Sequence, residues 1–115
     1  MIKPITIAVD AMGGDNSPNK IIEGISIHQK TSKEINYNIF GNEILINPLI
    51  DKYNIPKKKI KINHTDKIVE NEDSALAAAK KGKDTSLWLS IDSLKNNSSD
   101  GIVSAGNTGA LFVIA

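Results

Sequence analysis

Short β-branched segments alternate with amphipathic segments along this chain, and the alternation limits the possible folds more than any other feature. Apolar runs of about five residues read as strands, whereas Ile21, Ile22, Ile25 and His28 fall on one helical face. Strands that alternate with helices predict right-handed crossovers and a mostly parallel, doubly wound α/β sheet. The predicted strands are Ile5–Val9, Asn36–Phe40, Lys59–Asn63 and Gly101–Val103, with the third at an edge of the sheet because it alternates.

The predicted helices are placed by their start and stop signals. Ser17 before Pro18 is typical of an N-cap followed by the first helical residue. A helix over Ile44–Tyr53 is expected to be interrupted near Pro48. Thr85 or Ser86 is expected to start a later helix. Two further helices are predicted over 73–79 and 110–115.

The last six residues suggest where the fold continues. Ala110–Ala115 is apolar throughout and has no C-cap signal, which is typical of a helix buried between layers. We therefore expect residues 1–115 to be the N-terminal part of a single α/β domain that is incomplete at its C-terminus. A buried terminal helix that simply ends the chain is the alternative.

Composition excludes several classes of protein. The 14 basic and 13 acidic residues give a net charge of +1, which argues against a dedicated nucleic-acid binder. The chain has no cysteine, so disulfides, thiolate metal sites and cysteine nucleophiles are excluded. No apolar run is long enough to span a membrane and no signal peptide is present, so a cytoplasmic location is expected. Every basic residue is Lys, so an anion site must use Lys and backbone N–H groups.

Two glycine-rich loops are the main candidate for function. Each follows a predicted strand and opens a predicted helix, which places both at the carboxyl edge of the sheet. Glycine lets the backbone approach an anion closely, and helix N-termini favour negative charge. The first loop contains Gly13 and Gly14. The second contains Gly106 and Gly109, with donors from Ser104, Asn107 and Thr108. Neither matches a dinucleotide or P-loop fingerprint.

The charged residues near these loops allow more than one interpretation. Asp10 and Asp15 flank the first loop, where either could bind a metal, move a proton or hold loop amides. Lys83 could reach an anion at the sheet edge or lie in a solvated capping segment. His28 and His64 have no partner at a spacing typical of zinc sites or triads, so no metal is expected.

Three sequence blocks resemble the bacterial phosphate acyltransferases, the acyl-acyl-carrier-protein:phosphate transacylases of phospholipid synthesis. They are Ile7-Ala8-Val9-Asp10-Ala11-Met12-Gly13-Gly14-Asp15, Lys83-Asp84-Thr85-Ser86-Leu87 and Val103-Ser104-Ala105-Gly106-Asn107-Thr108-Gly109-Ala110-Leu111. Their order and spacing also agree. The chain departs from the family's pattern at Asn16, where many members have His, and at Lys80 and Lys81, where Arg is usual. The chain ends where the family's first third ends.

The resemblance implies an enzyme that uses no cofactor. Inorganic phosphate attacks the thioester of a fatty acyl group on acyl carrier protein, and acyl phosphate forms. The implied fold is similar to isopropylmalate dehydrogenase and phosphotransacetylase. A homodimer and peripheral membrane contact are implied only for the region beyond Ala115. No nucleic-acid partner is implied.

On this resemblance, residue roles can be predicted. Phosphate or oxyanion is expected at the amides of Gly13, Gly14, Gly106, Asn107, Thr108 and Gly109. Ser104, Asn107 and Thr108 would supply side-chain donors, Lys83 would offset charge, and Asp10 or Asp15 would hold the loops. The residues predicted to act in catalysis are therefore Asn107, Ser104, Lys83 and Asp10.

Three alternatives remain at this point. A dehydrogenase related to isopropylmalate dehydrogenase would need adenosine and nicotinamide contacts, which the sequence does not suggest. A non-catalytic remnant, or one part of a split acyltransferase, would explain an incomplete domain. A small phosphate- or carrier-binding module is less consistent with an apolar C-terminal segment.

Overall fold

Parallel strands form the centre of the fold. The computed structural model describes residues 4–32, 34–67 and 85–105. The strands in these ranges are β1 (Ile5–Asp10), β2 (Ile35–Gly41), β3 (Ile60–His64) and β4 (Gly101–Ser104). They form a four-stranded parallel sheet in the order β3-β2-β1-β4. Because β1 is paired on both sides, its carboxyl end lies between those of β2 and β4.

Helices cover both faces of this sheet. The helices are α1 (Asn19–Thr31), α2 (Glu43–Lys52) and α3 (Ser86–Lys95), and a 3-10 turn spans Lys57–Lys59. The core shared by α1 and α2 includes Val9, whereas the adjacent, buried Ala8 points to the other face because strand residues alternate. On that other face α3 packs against β1 and β2, and its Leu87 and Ile91 are buried. The predicted α/β class is confirmed.

Strand positions agree closely with the sequence pattern. β3 lies at the end of the described sheet, as its alternation predicted, and begins at Ile60. Lys61 is exposed there, and lysines on an edge strand discourage pairing with other chains. The helices predicted over 73–79 and 110–115 lie outside the described residues. The predicted boundary of an incomplete domain stays a prediction.

The start of α1 differs from the sequence prediction. The helix begins at Asn19, so Pro18 occupies the N-cap position and makes no side-chain capping bond. The predicted cap at Ser17 is wrong. Its hydroxyl instead donates to the carbonyl of Gly13, so this side chain fastens the preceding loop. A serine before proline is a cap only when the helix begins directly after the serine. Here the loop extends one residue further, so Pro18 takes the N-cap position.

The predicted interruption of α2 is also wrong. The helix runs from Glu43 to Lys52 with Pro48 inside it. Proline removes the N–H that would have donated to the carbonyl of Ile44. Both Ile44 and Pro48 are exposed, so the missing bond lies on the solvent side, where water can satisfy the carbonyl. The buried side chains Ile46 and Ile50 hold the helix on the core in spite of this loss.

Alkaline pH is expected to destabilise the fold through Tyr37. Burial raises the pKa of the Tyr37 phenol above 10.0, and His28 Nδ1 lies 2.7 Å from its oxygen. Well below pH 10 the phenol is neutral in both states and has no pH-dependent effect. As pH rises further, the unfolded chain ionises first, so the free energy of unfolding falls. Urea titrations between pH 9 and 11.5 should show a shallower fall in Tyr37→Phe than in wild type. Equal slopes in the two proteins would contradict this assignment, and Tyr53→Phe is the matched control.

Candidate functional site

The carboxyl ends of three strands meet at one edge of the sheet. Asp10, the last residue of β1, pairs with Phe40 of β2 on one side and with Ser104 of β4 on the other. The pairing continues one residue further, because the N–H of Ala11 donates to the Phe40 carbonyl at 3.0 Å. Open parallel sheets bind their ligands beyond this edge. The loops that leave these strands therefore form the candidate site.

The Asp10 carboxylate connects four segments at this edge. It is 2% exposed. Its Oδ1 accepts from the backbone N–H groups of Met12 at 3.2 Å and Gly13 at 3.1 Å, and from Ser86 Oγ at 2.6 Å. Its Oδ2 accepts from Ser104 Oγ at 2.9 Å. The side chain thus fastens the first glycine loop, the start of α3 and the end of β4 to the end of β1.

The start of α3 is fixed by a second set of polar contacts. Thr85 is the N-cap, and its Oγ1 accepts from the N–H of Trp88 at 3.2 Å. This confirms the predicted helix start. The next residue, Ser86, is 1% exposed, and its N–H donates to the Lys67 carbonyl at 3.0 Å. The N-terminus of α3, which favours negative charge, is therefore held directly beside Asp10.

At Gly14 the first glycine loop comes into close contact with Ala105, the residue before the second loop. This residue has a φ of +87°, a conformation that favours glycine. A Cβ added there would lie 2.7 Å from the carbonyl oxygen of Ala105, closer than side-chain carbons approach such an oxygen. Ala105 directly follows β4 and leads into the second loop. The chain can therefore bring these backbones together only with glycine at this position.

In the first loop, the backbone N–H of Gly13 forms a hydrogen bond within the protein, whereas that of Gly14 forms none with the described residues. The N–H of Gly13, a buried residue, is used by Asp10. The N–H of Gly14 makes no hydrogen bond to the part of the chain that the structure describes. The Ser104 hydroxyl donates to Asp10, so its hydrogen is directed into the protein. Among the described residues, the N–H of Gly14 is thus a first-loop amide that the fold does not use.

Comparison with known proteins places the chain in a family. The family model described as "Fatty acid synthesis protein" matches residues 5–115. The chain belongs to the fatty acid synthesis protein family. This match includes both glycine loops and every strand and helix that the structure describes.

Individual phosphate acyltransferases are also similar to this chain. A phosphate acyltransferase of Pelagibacter ubique is 51% identical over 115 residues, which are 100% of this chain and 34% of the relative. A phosphate acyltransferase of Rhodospirillum rubrum is 36% identical, and one of Ehrlichia canis is 39% identical over 96% of this chain. The chain spans about a third of the length of these relatives.

Several predicted site residues cannot be placed relative to this edge. Lys83 and the second-loop residues Gly106, Asn107, Thr108 and Gly109 lie outside the described residues. Their proposed roles in a fatty acid synthesis protein therefore stay predictions. Asp15 is described and exposed, at the end of the first loop.

The described residues contain no group of three or more His, Asp or Glu side chains that could hold a metal ion. His64 has a structural role, because its Nδ1 accepts the N–H of Glu43 at 3.1 Å, at the start of α2. Within the same described ranges, no helix is long and apolar enough to cross a membrane.

The sequence did not reveal the contact between Ser86 and Asp10. The sequence pattern predicts a helix start at Thr85 or Ser86, and Thr85 is the residue that caps the helix. Nothing in a helix-start pattern says that a hydroxyl reaches a carboxylate 76 residues earlier in the chain. The only signal was that the family resemblance includes both segments.

Proposed function

We propose that this chain supplies the phosphate-holding edge of a phosphate acyltransferase. In the proposed reaction a fatty acyl group moves from acyl carrier protein to inorganic phosphate. A phosphate oxygen attacks the thioester carbonyl carbon, a C–O bond forms, the C–S bond breaks, and the carrier thiolate leaves with the electron pair. Because phosphate is the nucleophile, the protein has to position it and stabilise the oxyanion.

The contact of Gly14 with Ala105 is the observation that carries this proposal. It brings the first glycine loop against the entry to the second, so one small anion could meet donors from both. The N-terminus of α3 lies at the same edge through the bond from Ser86 to Asp10. Backbone N–H groups and helix N-termini suit a tetrahedral anion, and this chain offers no arginine for the purpose.

The remaining roles follow from position in the chain. Gly106, Asn107, Thr108 and Gly109 come directly after Ala105, and we assign them to phosphate and oxyanion binding. Lys83 comes two residues before the Thr85 cap, and we assign it to charge compensation. For Asp10 and Ser104 the hydrogen bonds favour a positioning role, because each side chain is already bonded to the other.

The test uses this chain in a family-length context. Residues 1–115 would replace the matching third of the Pelagibacter ubique phosphate acyltransferase, with which they share 51% identity. We expect the chimera to form acyl phosphate from acyl-acyl carrier protein and inorganic phosphate. Asn107→Ala should lower turnover by about 30- to 10³-fold, or about 2–4 kcal/mol, if the amide donates to developing charge.

Asn47→Ala is the matched control for this experiment. Asn47 is exposed on α2, away from the glycine loops, so this change should leave turnover intact. Equal turnover in the two variants would remove Asn107 from the mechanism. A folded chimera that forms no acyl phosphate would instead favour a non-catalytic remnant or a partner fragment of a split enzyme.

The wider setting of the enzyme belongs to the same proposal. We extend the proposal to a cytoplasmic location, which the composition favours, and to the homodimer and peripheral membrane contact that the resemblance implies. The relatives are about three times as long as this chain, and we assign dimer and membrane contacts to their additional length.

A further inference from the structure

An apolar groove runs beside α1 on one face of the sheet. Its volume is about 630 Å³. The walls come from Ile7 and Val9 of β1, Val103 of β4, and Ile21 and Ile25 of α1. Val103 is 52% exposed, which is high for an apolar strand residue. The groove is thus an apolar surface that the described residues leave open.

The groove begins at the candidate site. Asp15 and Ala105 line it, and these residues lie on either side of the contact at Gly14. From there it follows α1 from Lys20 to His28, a distance of about 12 Å at 1.5 Å per residue. An anion at the glycine loops would therefore lie at the mouth of this groove.

The other end of the groove is polar. Tyr37, which is 3% exposed, and His28 both line it, and their side chains are hydrogen-bonded at 2.7 Å. The two rings meet edge to face, with their centres 6.1 Å apart. An alkyl chain that entered from the glycine loops would gain apolar contact only as far as this pair.

Gly24 leaves part of the groove wall without a side chain. It lies in the interior of α1, where glycine is less favourable than alanine, and it lines the groove. A Cβ added at this position would meet nothing within 4 Å, so the described residues supply no packing reason for glycine. The missing side chain leaves room in the middle of the groove wall.

We propose that this groove holds the fatty acyl chain of the substrate, with its reactive end at the glycine loops and its methyl end toward His28 and Tyr37. This assignment rests on the proposed acyl-transfer function. An extended alkyl chain advances about 1.3 Å per carbon because its bonds of about 1.5 Å are staggered. The groove therefore accommodates about nine or ten carbons in apolar contact.

The test measures binding of straight-chain carboxylates to the 115-residue chain, without phosphate or carrier protein. Hexanoate, octanoate, decanoate, dodecanoate and tetradecanoate would be titrated below their micellar concentrations, with the NMR signals of His28 and Tyr37 as reporters. Each added methylene should tighten binding by about three- to fourfold up to about ten carbons. Beyond that length the gain should stop.

Gly24→Leu should weaken decanoate binding at least tenfold, because its side chain fills the groove. Glu23→Leu adds the same side chain to the same helix at an exposed position outside the groove, and should bind as wild type does. If Gly24→Leu does not fold, Val103→Asp replaces it. This exposed position tolerates a carboxylate, which would lose hydration if an alkyl chain lay against it.

Three outcomes would overturn the assignment: no carboxylate binding by the wild-type chain, equal loss in Gly24→Leu and Glu23→Leu, or tightening that continues past ten carbons. Sedimentation that shows a dimer for the wild-type chain and a monomer for Val103→Asp would also overturn it, in favour of a second copy as occupant. Because no transfer is measured, these results are independent of the acyl phosphate assay. The chimera could form no acyl phosphate while the carboxylate titration shows the expected dependence on chain length. That pair of results would refute the proposed acyl transfer and leave the groove as a site for alkyl binding alone.

Discussion

Asp10→Ala is expected to lower the free energy of unfolding by about 3–5 kcal/mol, because it leaves several buried donors without an acceptor. The N–H of Gly13 and the hydroxyls of Ser86 and Ser104 all donate to this carboxylate. Ser86 is 1% exposed, so water cannot replace the lost oxygen there without opening the site. Urea unfolding followed by circular dichroism measures the change.

Two further variants make this prediction specific. Asp92→Ala removes an exposed carboxylate from α3 and should change stability by less than about 0.5 kcal/mol. Asp10→Asn keeps one acceptor oxygen but loses the other, so it should fall between wild type and Asp10→Ala. If Asp10→Ala unfolds at the same urea concentration as Asp92→Ala, the carboxylate does not hold the edge together.

Gly14→Ala is expected to lower the free energy of unfolding by about 2–4 kcal/mol, through two separate effects. A φ of +87° is strained for any residue with a Cβ, and the new methyl group would lie 2.7 Å from the Ala105 carbonyl oxygen. That oxygen belongs to the backbone, so it cannot move aside as a flexible side chain would. The same urea titration measures the loss.

Gly24→Ala is the matched control, because it makes the same change in a helix with open space around it. It should raise the free energy of unfolding by up to about 1 kcal/mol, since alanine is the better helix former. A lower free energy of unfolding in Gly14→Ala and a higher one in Gly24→Ala would support the geometry of both positions. A Gly14→Ala protein as stable as wild type would mean that Gly14 and Ala105 are not in contact.

Features with a local cause were predictable from the sequence. The period of two over Ile60 and Ile62 placed β3 at an edge, and Thr85 was recognised as the start of a helix because capping needs only the next few residues. The alternation of elements was sufficient for the α/β class. Each of these patterns reflects hydrogen bonding or burial within a short segment.

Features that depend on tertiary context were not predictable. Pro48 was expected to break α2, but burial of Ile46 and Ile50 outweighs one lost bond on the solvent side. The Ser17-Pro18 pattern predicted a cap, but Ser17 bonds Gly13 instead. That bond depends on how the loop folds back, which the local pattern does not show. At the candidate site, the sequence predicted a role for Asp10 and the glycine loops. It did not identify Ser86 as a partner of Asp10, because chain topology alone brings them together.

The order in which this edge is assembled follows from the position of β1. Met12 and Gly13 can bond Asp10 as soon as they are synthesised, but Ser86 and Ser104 follow 76 and 94 residues later. At ribosomal rates of about 5–20 residues per second, β4 is synthesised about 5–20 s after β1. The segments that form β2 and β3 are synthesised well before then. A nascent chain that stops short of residue 104 therefore contains the segments of β1, β2 and β3 but lacks Ala105, the residue that contacts Gly14.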